Sequence, residues 1–455
     1  MMARRGQDAA APARFPRRDR PLDTAGPATL AEAQERAALR FSIVILLACL
    51  LLQRFAVPFA GFPLGIVGPL GLALAGFELL RGTLVFDRVR LCIYLAFLAF
   101  VLAGAAANAA TGPRFGLAPS WPSLMHFVGL TAFATFSFAQ PVGEARLFRA
   151  VNACLGLTAA AALLQFVAQF AGLALFSFRD IVPDPFLLEL LYNPQIPIGD
   201  TPYFKANGFF LLEPSILSQF MAIGIILEVL YFRRPRMLAL FLCALLVSVS
   251  GTGWLVLSAF VAGAVLGMGR RGIALAAVLL LALAAGLATL SLVLPDVFQS
   301  FIGRVNEISV MDTSAHQRFV TPFWALQEVM DRVPWTLLFG VGASIGESLP
   351  LPYNYFLNTP VKLTIEFGLP VVIAYVALFS VASRTQRQAP LLLPGLVMLL
   401  FAGPYQQLAP VLFAVLLIMT VARLSPEPIA SAIGGTHPVR PVRFAGTPPL
   451  AAGGR

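Results

Sequence analysis

Charge is what this sequence lacks. Asp, Glu, Lys and Arg make up 12% of its 455 residues, while apolar residues make up 58%. A soluble domain carries roughly a quarter charged residues, so the composition argues against a soluble fold. The apolar residues gather in blocks of about twenty, the length that crosses a ~30 Å hydrocarbon core as a helix. Peptide groups inside such a core find no water, so the blocks are expected to be helical. The alternating pattern of a membrane β-barrel is missing. Cysteine is scarce too: Cys49, Cys92, Cys154 and Cys243 each stand alone in an apolar run. That spacing offers neither a disulfide framework nor a metal cluster, and no metal or cofactor is expected.

An export signal is also missing. The N-terminus "MMARRGQDAAAPARFPRRDRPLDTAGP" is basic and rich in Pro and Ala, and the first apolar run starts only near Phe41. A signal peptide places its apolar segment soon after the positive end. Residues 1–40 are therefore expected to be a disordered cytoplasmic tail, residues 41–422 a transmembrane domain, and residues 423–455 a second cytoplasmic tail.

What is there is a series of twelve expected spans. They lie near 41–60, 63–80, 90–108, 121–139, 150–173, 208–231, 237–250, 252–268, 272–294, 361–382, 390–403 and 408–422. The seventh and eighth meet at "SVSGTGW", as two helices with a tight turn or as one long re-entrant element. With the N-terminus inside, twenty-four of the 32 Lys and Arg residues fall on the cytoplasmic loops and tails. This asymmetry is the positive-inside pattern. It leaves both termini in the cytoplasm and accounts for the net charge of +10 without nucleic-acid binding. Two outer loops are long, about 174–207 and 295–360. The second contains an amphipathic segment, "RFVTPFWALQEVMDRVPW". Long loops of this kind tend to carry function.

Polar residues inside or beside apolar runs ask for a reason. Glu213 sits five residues into its expected span, about 8 Å below the outer end at ~1.5 Å per residue. A carboxylate at mid-helix costs about 2.5–3.5 kcal/mol, less near the interface. Pro214 follows it, removing a backbone hydrogen bond. Broken backbone at membrane depth is tolerated where it lines a cavity, so the Glu-Pro-Ser stretch reads as a cavity wall. Ser215 and Ser218 add hydroxyls there, and Lys205 and Asn207 lie just before it. The alternative is a Glu reaching out to water from a helix end.

In the large outer loop, "GRVNEISVMDTSAHQRF" carries Arg304 and Arg318. Either they pair with neighbours such as Glu307 and Asp312, or their planar forks bind a phosphate-bearing ligand. His316, two residues from Arg318, reads more readily as a loop residue than as a catalyst. The glycines of "GVGASIG" permit a close turn or the close approach of a substrate. Lys362 and Glu366, four apart, are expected to pair on one helix. Glu78 and Glu228, near inner helix ends, are expected to be solvated. Arg54 is expected to reach the outer interface with its long stem, with a ligand role as the alternative.

At these residues the chain resembles a known family, the O-antigen ligase and polysaccharide polymerase superfamily of bacterial inner membranes. "KANGFFLLEPSILSQF" is similar to the family's basic-x-x-Gly-Phe-x-x-x-Pro-Ser/Asn stretch, and "SVSGTGWLVL" to its turn between two spans. A long outer loop then holds the spaced arginines, and "LFGVGAS" precedes "LNTPVKLTIEFGLP", close to the family's Asn…Leu…Glu-x-Gly-Leu pattern. The likeness covers roughly residues 200–380. Ligases of the family carry a His before that Asn, whereas here Leu357 precedes Asn358, and an alternative alignment offers Tyr353. The difference favours the polymerase branch over transfer to a lipid acceptor.

The resemblance implies an all-α polytopic, GT-C-like fold of about twelve transmembrane helices in the cell inner membrane, with a large periplasmic loop between helices 9 and 10. It implies a metal-independent glycosyltransferase that moves an undecaprenyl-diphosphate-linked oligosaccharide onto a sugar hydroxyl of a second lipid-linked unit. Membrane lipid and a chain-length regulator are the further partners it suggests. Arg304, Arg318 and Lys205 would stabilise the diphosphate leaving group, since its charge grows as the glycosidic bond breaks. Glu213 would take the proton of the attacking hydroxyl, or else only orient Lys205 or an arginine. Asn207, Ser215, His316, Asn358 and Tyr353 would contact substrate. A glycolipid flippase or other transporter, and a structural subunit of an assembly complex, remain as alternatives of a different class.

Overall fold

A computed structural model describes residues 27–59, 62–112, 115–173, 176–188, 195–199, 201–268, 270–303, 309–311, 313–384, 389–401, 409–418 and 424–425. The chain is mostly helical with few, short strands. Helix α1 spans Pro27–Leu51 and so starts inside the segment expected to be a tail. Its first half, "PATLAEAQERAALR", has no membrane-like hydropathy, but Ala, Leu, Glu, Gln and Arg are the strongest helix formers. A hydropathy boundary near Phe41 therefore marks where apolar residues begin and not where the helix does. A β-hairpin follows, β1 (Ala56–Phe59) against β2 (Phe62–Gly65), and takes the end of the expected first span and the start of the second.

Next come α2 (Val67–Leu80), α3 (Arg88–Thr111), α4 (Trp121–Ala132) and α5 (Glu144–Ala168). Asp87 starts α3 with its carboxylate accepting the Arg90 backbone N–H, and Ser120 does the same for Ser123 at α4. Both are ordinary N-caps, which satisfy donors the first turn cannot. A short antiparallel pair, β3 (Leu84–Phe86) with β4 (Phe136–Phe138), ties the start of α3 to the end of α4. The remaining pair, β5 (Val142–Gly143) with β6 (Leu424–Ser425), is parallel.

Helix α6 (Pro214–Leu227) is the centre of the molecule, with every residue buried. A helix that is apolar all round belongs inside. It is followed by α7 (Pro235–Val247), α8 (Gly251–Met268), α9 (Arg270–Val293) and α10 (Pro295–Gly303). Of the two forms left open at "SVSGTGW", the structure has two helices joined by a tight turn. Val249 in that turn takes a positive φ of 43°, rare for a β-branched residue. Between α6 and α7 the chain makes a π-helical turn, Glu228–Phe232. Glu228 was expected to be solvated and is instead fully buried. It is held by Asn152 of α5 at 2.7 Å and by Arg234. A buried carboxylate without such partners would be costly, and the arginine two residues into the following turn supplies the main one.

The last third holds α11 (Ser314–Phe319), α12 (Thr321–Arg332), α13 (Thr336–Phe339), α14 (Thr359–Phe367), α15 (Leu369–Arg384), α16 (Ala389–Phe401) and α17 (Ala409–Leu416). The expected amphipathic helix is split at Val320, because Pro322 has no N–H to continue α11 and suits the first turn of α12. The expected tenth span is likewise split, at Gly368, whose φ of 90° ends α14. A large apolar cluster joins α1 through α9 with α15 to α17, and a smaller one lies under α12 to α14.

Among the described residues, three helical stretches are long and apolar enough to cross a membrane: Arg88–Thr111, Glu144–Ala171 and Pro214–Phe232. Shorter apolar helices include Val67–Leu80, Pro235–Val247, Leu369–Val381 and Leu391–Phe401.

Helix α6 packs closely against α8. A Cβ added to Gly253 would lie 2.4 Å from the Ser218 carbonyl oxygen and 2.6 Å from Leu245 Cδ1. Gly76 on α2 has nothing within 4 Å of the same point. Gly253→Ala is therefore expected to destabilise the purified protein by about 1–3 kcal/mol through overpacking. Gly76→Ala should instead be neutral or stabilising by up to about 1 kcal/mol. Thermal or denaturant melts of the two variants in detergent check the opposite signs.

Candidate functional site

The site begins with a helix start that the sequence placed too deep. Glu213 does not lie within a helix. It is the residue before α6, extended at φ −141° and ψ 154°, with Pro214 as the first helical residue. A residue before proline is pushed out of the helical region, and proline suits the first helical position because its missing N–H would be unsatisfied there anyway. The stretch 208–212 before it is a turn, entered through Gly208 and Phe209, both at positive φ.

Such a turn leaves its peptide groups without helical partners, and side chains from elsewhere supply them. Arg54, just beyond α1, is fully buried, and its guanidinium donates to the carbonyls of Phe209, Leu211 and Leu212. Its neighbour Gln53 accepts the Leu212 N–H at 3.2 Å. Gln165 of α5 accepts the N–H groups of Asn207 and Gly208, both at 2.9 Å, and donates to the Asn207 amide oxygen at 3.0 Å. That oxygen also accepts the Phe209 N–H. Arg54 thus does not reach toward an interface: three carbonyls that need donors hold it inside.

Glu213 itself is half-buried. Its Oε2 accepts the Ser215 hydroxyl at 2.7 Å and lies 3.4 Å from Nη2 of Arg318, 105 residues further along the chain. Oε1 accepts no hydrogen bond among the described residues. Arg54 lies within electrostatic reach of the same carboxylate. The side chains of Arg318 and Glu213 are 17% and 37% exposed, so the pair is shielded yet open to a ligand.

Arg318 is positioned from behind. Its guanidinium lies over the Phe356 ring at 5.1 Å, a cation–π contact. The backbone of α11 is fixed as well: Phe356 N–H donates to the Gln317 carbonyl, and Asn358 Nδ2 donates to the Arg318 carbonyl at 3.4 Å. The Asn358 oxygen meanwhile caps α14 by accepting the Val361 N–H. Both ends of that amide are engaged, so Asn358 orients the arginine and starts the helix.

On the other side, Ser215 links the start of α6 to the turn between α7 and α8. Its carbonyl accepts the hydroxyls of Ser218 at 2.7 Å and Thr252 at 3.0 Å, and Ser218 Oγ accepts the Gly253 N–H at 3.0 Å. The two motifs read separately in the sequence, "EPS" and "SGTG", are parts of one hydroxyl network.

The expected site residues therefore divide. Glu213, Ser215 and Arg318 come together, with Asn358 holding the arginine. Lys205 and Asn207 lie on the segment leading into the turn, where Lys205 N–H donates to the Ile196 carbonyl. His316 turns its ring edge-on to Trp324 at 5.2 Å, and Trp324 meets Tyr353 at 5.8 Å. Burial, with Glu328 nearby, raises the pKa of the Tyr353 hydroxyl, which therefore keeps its proton. Arg304, Glu307 and Asp312 lie outside the described residues.

The glycines of "GVGASIG" make the close turn expected of them. Val341 and Gly342 donate to the carbonyls of Ile365 and Glu366, at 2.7 and 3.0 Å, capping the end of α14. A Cβ on Gly340 would lie 2.3 Å from the Glu366 backbone. Lys362 and Glu366 approach to 3.6 Å as expected, and Glu347 completes the cluster as a second partner of the lysine. Gln53, Gln165 and Phe356 are not among the residues expected from the sequence, and Arg54 is expected at an interface. The signal for Gln53 and Arg54 is a pair of long polar side chains, "QR", closing an apolar run with no charge to answer them.

Arg54→Met removes the donors of three buried carbonyls, each costing about 1–3 kcal/mol when left unsatisfied. It is expected to lower the yield of folded protein and to raise amide hydrogen exchange over residues 208–213. Unchanged protection of that turn would show that the guanidinium does not hold it. No family model matches the chain, and no curated protein matches it.

Proposed function

We propose that the chain is a polysaccharide polymerase of the bacterial inner membrane, acting on its periplasmic face. In this reading the helices form about twelve spans of a GT-C-like arrangement with both termini cytoplasmic. The donor is an oligosaccharide on undecaprenyl diphosphate, and the acceptor is a sugar hydroxyl of another lipid-linked unit. The observation that carries it is the meeting of Glu213 and Arg318 at 3.4 Å across 105 residues of sequence. An acid–cation pair, shielded but partly open, at a broken helix start suits a reaction that must accept a proton and stabilise an anion together.

The acceptor hydroxyl attacks the anomeric carbon, and the bond from that carbon to the diphosphate oxygen breaks. Oε1 of Glu213 is the atom placed to take the hydroxyl proton, since Oε2 already holds Ser215 and Arg318. The lipid diphosphate leaves with the electron pair, and Arg318, joined by Arg304 and Lys205 in the full site, stabilises it. Donors aimed at developing charge in a water-poor site are worth about 10²–10³ in rate each. Phe356 and Asn358 act through Arg318, holding it at the carboxylate.

Arg318→Ala and Glu213→Gln are each expected to abolish long-chain polymer while protein level stays normal, a loss of about 10²–10³-fold or more. Single lipid-linked repeat units should then collect on the outer face of the membrane. Their collection on the inner face would mean that the chain flips glycolipids, and unchanged polymer length in both variants would remove the pair from catalysis.

A further inference from the structure

Part of the outer loop expected over 295–360 lies beside the helices instead of beyond their ends. Around α13 the chain runs along α3 and meets the junction of α14 with α15. A Cβ on Gly104 of α3 would lie 2.7 Å from the Phe339 carbonyl oxygen, and one on Gly368 would lie 2.5 Å from that of Leu338. Only glycine lets backbone come this close. Two rulers measure the depth of that meeting point. Gly104 lies seven residues before Thr111, the last of α3, or about 10 Å along the helix. Gly340 sits against the Glu366 backbone, eight residues beyond Asn358, or about 12 Å along α14. In the orientation read from the Lys and Arg pattern, Thr111 and Asn358 are both at the outer side. Half of a ~30 Å hydrocarbon core is about 15 Å, so both rulers end inside its outer half.

The side chains at that depth are apolar and uncovered. Thr336 is buried, but Leu338 is 60% exposed and Trp335 43%, and Leu337 and Phe339 are exposed as well. Contiguous apolar patches are seldom left to water. The adjoining α3 is long and apolar enough to cross a membrane, and it is buried only along Arg90, Phe97, Val101, Gly104 and Asn108. Lipid suits the rest of its surface, and α13 continues that surface. The backbone meets the second condition for lipid, that its N–H groups find partners within the protein. Those of Leu338, Phe339 and Gly340 donate to Trp335 and Thr336, and those of Val341 and Gly342 to the end of α14. A tryptophan at the entry suits the boundary between headgroups and acyl chains. We infer that Trp335–Phe339 is a re-entrant wedge in the outer leaflet, with lipid acyl chains as its partner.

Helix α12 leads from the Arg318 helix into this wedge, which therefore moors the outer loop to the bilayer. The inference rests on α3 spanning a membrane and not on the transferase reading.

The test uses the full chain in lipid nanodiscs, with a nitroxide on Leu337→Cys, Leu338→Cys, Leu102→Cys or Asp331→Cys. Cys92→Ala and Cys243→Ala first remove the exposed native thiols. Collision with oxygen, which concentrates in lipid, is compared with collision with a water-soluble nickel chelate. Leu102, exposed on α3 near Gly104, marks lipid, and Asp331, exposed near the end of α12, marks water. The oxygen-to-chelate ratio at positions 337 and 338 is expected to be about tenfold or more above that at 331, since hydrocarbon excludes polar solutes, and close to that at 102. The wedge alone is overturned if position 102 reads as lipid while 338 meets the chelate as freely as 331. It is equally overturned if 338 is shielded from both reagents, because a protein surface then covers it. A chelate-accessible label at 102 would overturn the wedge together with the membrane placement of α3.

Discussion

Peptide groups that leave a helix inside an apolar interior must be given partners by something other than water. At the start of α6 that demand is met by Gln53, Arg54 and Gln165, which between them answer carbonyls and N–H groups from Asn207 to Leu212. The guanidinium costs much to bury alone, and the turn costs much to leave unsatisfied. Each removes the other's penalty. The position of Glu213 follows from this exchange, because the turn sets where Pro214 starts the helix and so where the carboxylate stands.

The other half of the site is assembled by a different route. Arg318 belongs to a six-residue helix, too short to be stable by itself. Its place comes from Phe356 beneath the guanidinium and from Asn358, whose amide spans the Arg318 carbonyl and the first turn of α14. The carboxylate is therefore fixed by the central packing of α6, and the arginine-bearing helix α11 by the Phe356–Asn358 segment that starts α14. Their contact at 3.4 Å joins these two separately fixed parts.

Much of this was legible in the sequence, because it depended on local rules. Glu-Pro-Ser in an apolar run signals irregular backbone, and Lys and Glu four apart signal a pair; both are present. What failed depended on burial. Glu228 looks like a helix-end acid until Asn152 and Arg234 close on it. Arg54 looks like an interfacial cation until the turn at 209–212 claims it. Hydropathy also misplaced the start of α1, since helix propensity in "ATLAEAQERAALR" extends beyond the apolar residues.

Helix α14 is only nine residues long, yet it is pinned along its whole length. Asn358 caps one end, Thr359 bonds the Leu399 carbonyl, and Val341 and Gly342 close the other end. It behaves as a stiff crossbar, with the arginine's anchor at one tip and the Gly342 turn at the other. Tilting a bar about 12 Å long by ten degrees displaces its tip by roughly 2 Å, more than a hydrogen bond tolerates. A tilt of that size at one tip would therefore break hydrogen bonds at the other.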